Sequence, residues 1–155
     1  MKNAAVIRQS AGLTVLLAAA LSGRAILAEP RPIAAADTET ARFAPCEGPV
    51  RVTCVVDGDT FWYRGLKIRI ADVNAPELDH PSCAYEARLA QAATLRLTDL
   101  LNAGSFTLVV EGRETDRYGR ALRVVLRGGR SLGAVLEREG LAEHWQGRRG
   151  DWCAA

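Results

Sequence analysis

The chain has 155 residues, with 20 basic and 18 acidic side chains and a formal charge of +2. That length allows one modest core and excludes two independently folded domains. The near balance of charge excludes retention of a polyanion by overall charge, so any such partner must meet a local basic patch.

The N-terminus opens on a short basic segment with Lys2 and Arg8. The apolar run AGLTVLLAAALSG (Ala11 to Gly23) follows, then a small residue, Ala28. This is the layout of a secretory signal peptide. A membrane span needs about 20 apolar residues, and this run is too short. Residues 1–28 are therefore expected to be a cleaved signal, leaving a soluble, periplasmic or secreted protein with no stable membrane association. Lys2, Arg8 and Arg24 leave with the signal and no acid does, so 17 basic residues, 16 of them Arg, face 18 acidic ones. Residues 29–48, rich in Pro, Ala and polar side chains without a period, read as a linker or loosely draped arm. The folded domain is placed at 49–155.

VRVTCVV (Val50 to Val56) and TFWYR (Thr60 to Arg64) are β-rich runs separated by DGD, a hairpin-turn composition. KIRIADV (Lys67 to Val73) alternates as a third strand. From Cys83 to Gly104, Leu89, Ala93, Leu97 and Leu100/Leu101 recur at helical spacing, with Asn102 and Gly104 at the stop. SFTLVVEG and ALRVVLRGG supply two further strands. SLGAVLEREG is a second helix, with Ser131 as N-cap and Gly140 as terminator. The order βββαββα suits a small, partly closed five-stranded barrel with helices. Of Trp62 and Tyr63, which alternate on a strand, one is expected to be buried.

All four cysteines, Cys46, Cys54, Cys83 and Cys153, remain after signal removal, which suggests two disulfides in an exported chain. Three pairings are open. Cys83 and Cys54 are both candidate partners for Cys153. Zinc lacks the C-x-x-C spacing it would need.

Three segments bring charge to strand ends. VVDGDTFW carries Asp57 and Asp59 around Gly58. IRIADVNAPEL carries Arg69, Asp72, Asn74 and Glu77, and Pro76 keeps Ala75 extended. ETDRYGRALRVV puts Arg120 after a Tyr118–Gly119 turn. Six arginines between Arg113 and Arg130 form either a phosphate track or a solvated strand face. A phosphodiester repels hydroxide, and its transition state gathers more negative charge. A hard, oxygen-ligated cation and two guanidinium forks would neutralise it, while a nearby carboxylate orients or deprotonates water.

These three motifs, in this order and spacing, resemble the thermonuclease (staphylococcal nuclease-like) family over roughly Val50 to Ala142. The resemblance implies an OB-type Greek-key barrel (α+β) that cuts DNA and/or RNA with one Ca²⁺, as a monomer. It implies Asp59, Asn74 and the Ala75 carbonyl as metal ligands, Arg69, Glu77 and Arg120 as catalytic residues, and Tyr118 as a substrate contact. Asp57 is left to the turn. Asn74 departs from the family's Asp and removes a negative charge from the ion site, where Asp72 or Asp79 is a possible substitute. The tail AEHWQGRRGDWCAA stands where the family has a longer C-terminal portion. In it, Trp145 is read as either a base-stacking or a core residue. The alternative function is a catalytically silent barrel that binds nucleic acid or protein.

Overall fold

The computed structural model describes residues 36–154. The signal expected at 1–28 lies outside the described residues, as does the first part of the 29–48 segment. Ten short elements follow one another: β1 (Cys54–Asp57), β2 (Thr60–Tyr63), β3 (Leu66–Ile70), β4 (Val73–Asn74), α1 (Ala84–Asn102), β5 (Thr107–Val109), β6 (Ala121–Arg127), β7 (Arg130–Ser131), α2 (Gly133–Arg138) and β8 (Glu143–His144). The main sheet runs β1-β2-β3-β6-β5, with β7 added on β6. The β3–β6 pair is parallel and its neighbours are antiparallel. This is the α+β, OB-type arrangement expected. The pairs β4–β8 and β6–β7 are too short to have shown a period in the sequence.

Among the described residues the hydrogen-bonded strand path does not close on itself, and its open edges are managed by the N-terminal arm. Glu39 exchanges backbone bonds of 2.8 and 2.9 Å with Phe106, just before β5. Farther along, Val55 of β1 donates to Ala44 O (2.9 Å) and accepts from Cys46 N (2.8 Å). The arm thus satisfies exposed groups on both edges. It also contributes to the core. Phe43 is 4% exposed and meets Phe61, Tyr63 and Phe106 at centroid distances of 5.9 to 6.1 Å. The Asn102 side chain clamps the Phe43 backbone from both sides, and the Tyr63 hydroxyl donates to Glu39 (2.7 Å). A Cys46–Cys54 disulfide fastens the arm to β1. The described part of this segment is therefore no linker. Its missing period reflects pairing one residue at a time with two different edges.

Strand β1 starts at Cys54, later than the hydrophobic run suggested, because Val50 and Val52 remain exposed. Helix α1 lays Ala90, Ala93, Leu97 and Leu101 on the sheet. Its small residues matter where the Asp57–Asp59 turn packs against it: a β-carbon on Gly58 would lie 2.6 Å from Ala93 Cβ and 2.7 Å from Ala75 Cβ. Gly58 is thus required by close approach rather than by the turn itself. No basic residue closes the last turn of α1, but Arg127 of β6 reaches across to the carbonyls of Leu100, Gly104 and Ser105. That assigns one arginine of the expected basic track to helix capping. Helix α2 begins one residue later than expected, yet Ser131 Oγ still accepts from Ala134 N (3.1 Å). At its other end Gly140 adopts φ +71° while Leu141 N returns to Leu136 O, the Schellman arrangement.

Phe43→Ala should lower the unfolding free energy by about 3–5 kcal/mol, the range for deleting a buried aromatic ring. Urea titration checks this. A loosely draped arm would give almost no change.

Candidate active site

The site forms where the β1–β2 turn, the end of β3 and the loop after β4 meet. The Asp57 carboxylate accepts from Asp59 N (3.1 Å), closing the turn as its sequence position suggested. Asp59, one residue before β2, is buried. Its Oδ2 faces Arg69 Nη2 at 3.0 Å and accepts from Ala75 N (2.7 Å), and its Oδ1 accepts from the Thr60 hydroxyl (2.9 Å). Antiparallel register sets Thr60 opposite Arg69, which brings the acid and the guanidinium together.

Arg69 is itself buried, and Nη1 donates to the carbonyls of Ile70 and Val73 (2.6 Å to Val73 O). It therefore anchors the end of β3 as well as facing Asp59. The Trp145 ring lies over its guanidinium at 5.4 Å and is 38% exposed, so Trp145 is a surface wall rather than a core residue. Arg120 is delivered by the parallel β3–β6 pairing, one residue before β6. It pairs with Asp116 (Nε–Oδ2 2.6 Å) and approaches the Thr60 hydroxyl at 3.5 Å. Burial alone would raise the Asp116 carboxyl. Bonds from the Arg120 side chain and from the Arg120 and Tyr118 backbone N–H groups hold it below its ordinary value. Tyr118, 66% exposed, stacks on Arg117 and Arg120 at 4.8 and 5.5 Å.

Glu77 sits half-buried in the loop beyond Pro76, paired with Arg149 of the C-terminal tail (2.7 Å). Its pKa is raised, chiefly by burial. Arg149 opposes that rise, Asp59 adds to it, and Arg69 and Arg120 oppose it as well. Glu77 therefore lies within electrostatic reach of the other three charged groups. Asp57 is pushed up to about 7, first by burial and then by the negative charge of Asp59, with Glu77 adding a smaller push. Asp57 and Glu77 are thus both raised in part by the same neighbouring carboxylate, a setting in which a cation would be favoured.

The donor set fits a hard cation in part. Among the described residues no three His, Cys, Asp or Glu side chains gather closely enough to hold a metal by themselves, so amide or carbonyl oxygens would have to contribute. An ionised carboxylate offers about four lone-pair positions. Three on Asp59 are occupied, which leaves one on Oδ1. The Asn74 side chain is fully buried and its Nδ2 donates to Glu143 Oε1 (3.0 Å), so its Oδ1 remains as the candidate ligand. Asp72 does not substitute for it. Its Oδ2 accepts from Ser131 Oγ (2.5 Å), and its Oδ1 lies against Gly133 at the start of α2.

Several contributing residues escaped the reading of the sequence. Glu86, in the first turn of α1, is buried and accepts from the backbone N–H of Ser82 (2.6 Å) and Glu77 (3.4 Å). It thereby fixes the loop that carries Glu77. Cys83 Sγ at the N-cap accepts from Glu86 N (3.5 Å), which is half of a capping box, while the Glu86 carboxylate reaches past the cap to Ser82 N; the cap-x-x-Glu spacing could have revealed it. Arg149 reaches the site because Cys153 is bonded to Cys83, one of the two partners left open. Glu143 reaches it through the unforeseen β4–β8 pair.

The six-stranded, OB-type sheet carries acids and arginines at the ends of its strands. The family model "Staphylococcal nuclease homologue" matches residues 67–151, and the chain belongs to that family. It is also 35% identical over 92 residues to Endonuclease YncB of Bacillus subtilis (strain 168), a match covering 56% of this chain and 43% of that protein. The chain thus spans less than half the length of that relative.

Replacing Arg69 by Met should destabilise the protein by about 3–5 kcal/mol, because Asp59 would be left buried without its counter-charge. Chemical denaturation in chelator checks this. A loss below about 1 kcal/mol would mean that the pair behaves as an exposed one.

Proposed function

We propose that this protein is an exported, Ca²⁺-dependent nuclease that hydrolyses phosphodiester bonds of DNA and/or RNA and works as a monomer. The observation that carries the reading is the buried Asp59–Arg69 pair beside Arg120, with Glu77 within electrostatic reach of all three. Membership of the nuclease homologue family, and the endonuclease named among its relatives, agree with it. Two disulfides that use all four cysteines suit an oxidising compartment outside the cytoplasm.

In this reading Arg69 and Arg120 hold the scissile phosphate and neutralise the charge it gains, as forked donors suited to two oxygens. Each is oriented by an acid, Asp59 or Asp116, and so is held in place before substrate arrives. Glu77 takes a proton from the attacking water as the water oxygen bonds to phosphorus. The bond to the leaving strand oxygen then breaks, and that oxygen takes a proton from solvent water. Tyr118 contacts the substrate phosphate from the exposed rim. Asp59, Asn74 and the Ala75 carbonyl would hold Ca²⁺, which when bound adds positive charge beside the phosphoryl oxygens.

Asn74 gives the silent-barrel alternative its one specific support, since an amide there lowers the charge of the ion site. Digestion of single-stranded DNA separates the two readings. Cleavage should require Ca²⁺, stop with chelator, and fall by about 10²- to 10⁴-fold in Glu77→Gln, the usual contribution of a positioned general base. Cleavage insensitive to chelator and to Glu77→Gln would overturn the hydrolase reading. Asn74→Asp combined with Glu143→Gln, which restores a donor to the contact that Asn74 Nδ2 makes with Glu143, should tighten calcium binding by roughly tenfold, about 1.4 kcal/mol. An unchanged calcium titration would remove Asn74 from the ligand set.

A further inference from the structure

Beyond the four charges at the mouth, the C-terminal tail contributes two arginines to the same space. A cleft of about 840 Å³ is lined by six arginines, Arg69, Arg113, Arg117, Arg120, Arg148 and Arg149, against Glu111 and Asp116. Asp116 is already spent on Arg120. The cleft is larger than one phosphate requires, and its excess positive charge lies well beyond the pair that would grip a single scissile group.

The tail is pinned covalently at one place and touches the site at two more. Cys153 is bonded to Cys83 at the N-cap of α1. Arg149 pairs with Glu77. Gly150 lies so close to Glu143 that a β-carbon there would sit 2.2 Å from its carboxylate, and that carboxylate is in turn held by Asn74. Arg148 and Arg149 are therefore carried on an anchored segment, although Arg149 is itself 62% exposed. An ion pair that exposed contributes only about 0–1 kcal/mol, so an incoming phosphate, able to accept both prongs of the fork, can displace Glu77 from it at little cost.

We propose that this disulfide-pinned tail is a strap for a polynucleotide strand: Arg148 and Arg149 bind a phosphate neighbouring the one at the mouth, and Arg149 leaves Glu77 as the strand enters. The position of the scissile phosphate rests on the nuclease reading above, while the binding itself does not. The favoured ligand is then a strand with several phosphates, not a single nucleotide diester. Release of Arg149 would also clear the carboxylate for water only when a strand is present.

Fluorescence anisotropy with a labelled single-stranded 12-mer oligothymidylate in excess chelator, over a salt series, tests this without cleavage. The R148A/R149A double variant should bind about tenfold or more weakly. Its log–log salt slope should be shallower by about 0.7, the value for one lost single-strand phosphate contact. Arg88→Ala with Arg138→Ala, which removes two exposed charges outside the cleft, should leave affinity and slope near those of the parent. Cys83→Ser with Cys153→Ser, confirmed folded by circular dichroism, should reproduce the loss seen in the tail-arginine variant. The proposal is overturned if the tail-arginine variant matches the charge control, if the cysteine variant binds like the parent, or if the parent shows no salt-dependent binding. Intact binding with no cleavage in Ca²⁺ would instead sink the hydrolase reading and leave the strap standing.

Discussion

Asp59 and Arg69 face each other at 3.0 Å with side chains almost out of solvent, and the site geometry follows from keeping both satisfied. A buried ion pair gains only if its remaining donors and acceptors are also bonded. Asp59 meets that condition through Ala75 N and the Thr60 hydroxyl, Arg69 through two backbone carbonyls at the end of β3. Each of these bonds ties a different segment to the pair. The turn after β1, the end of β3 and the loop leading to Glu77 are held together by one polar cluster.

Packing makes that cluster possible. Gly58 lets the turn rest directly on Ala93 and Ala75, so helix α1 presses the Asp57–Asp59 turn against the segment that carries Glu77. The same helix anchors that loop a second time, because Glu86 in its first turn holds the N–H groups of Ser82 and Glu77. Its N-cap cysteine holds the tail and with it Arg149. One helix thus connects the core to three parts of the mouth. The arm 36–48, on the other side, gives the sheet the edge cover it lacks on its own.

Much of this was legible in the residues. Asp59, Arg69, Glu77 and Arg120 sit on motifs whose spacing is set by strand register, and α1 shows its apolar face at helical period. Local pattern carries such information because the contacts responsible repeat along the chain. The arm, the two-residue strands β4 and β8, and the tail do not repeat. Phe43 is a core residue because Phe61, Tyr63 and Phe106 meet there, and nothing near Phe43 in the sequence announces that meeting. The Cys83–Cys153 pairing likewise depends on where α1 starts in space, and the position of Arg149 depends on that pairing. Asp72, open as an ion ligand on strand alternation, turns instead toward α2 because β3 ends at Ile70 and the alternation is broken there.

In the proposed nuclease this cluster builds one mouth at which acids and arginines act on a single phosphate. A crystal structure of the Glu77→Gln variant with Ca²⁺ and a short single-stranded DNA tests it most directly. An ion should sit on Asp59 Oδ1 touching one phosphate, with Arg69 and Arg120 both within about 2.7–3.2 Å of that phosphate's oxygens. An ion bound elsewhere, or a strand lying away from Arg69 and Arg120, would contradict it.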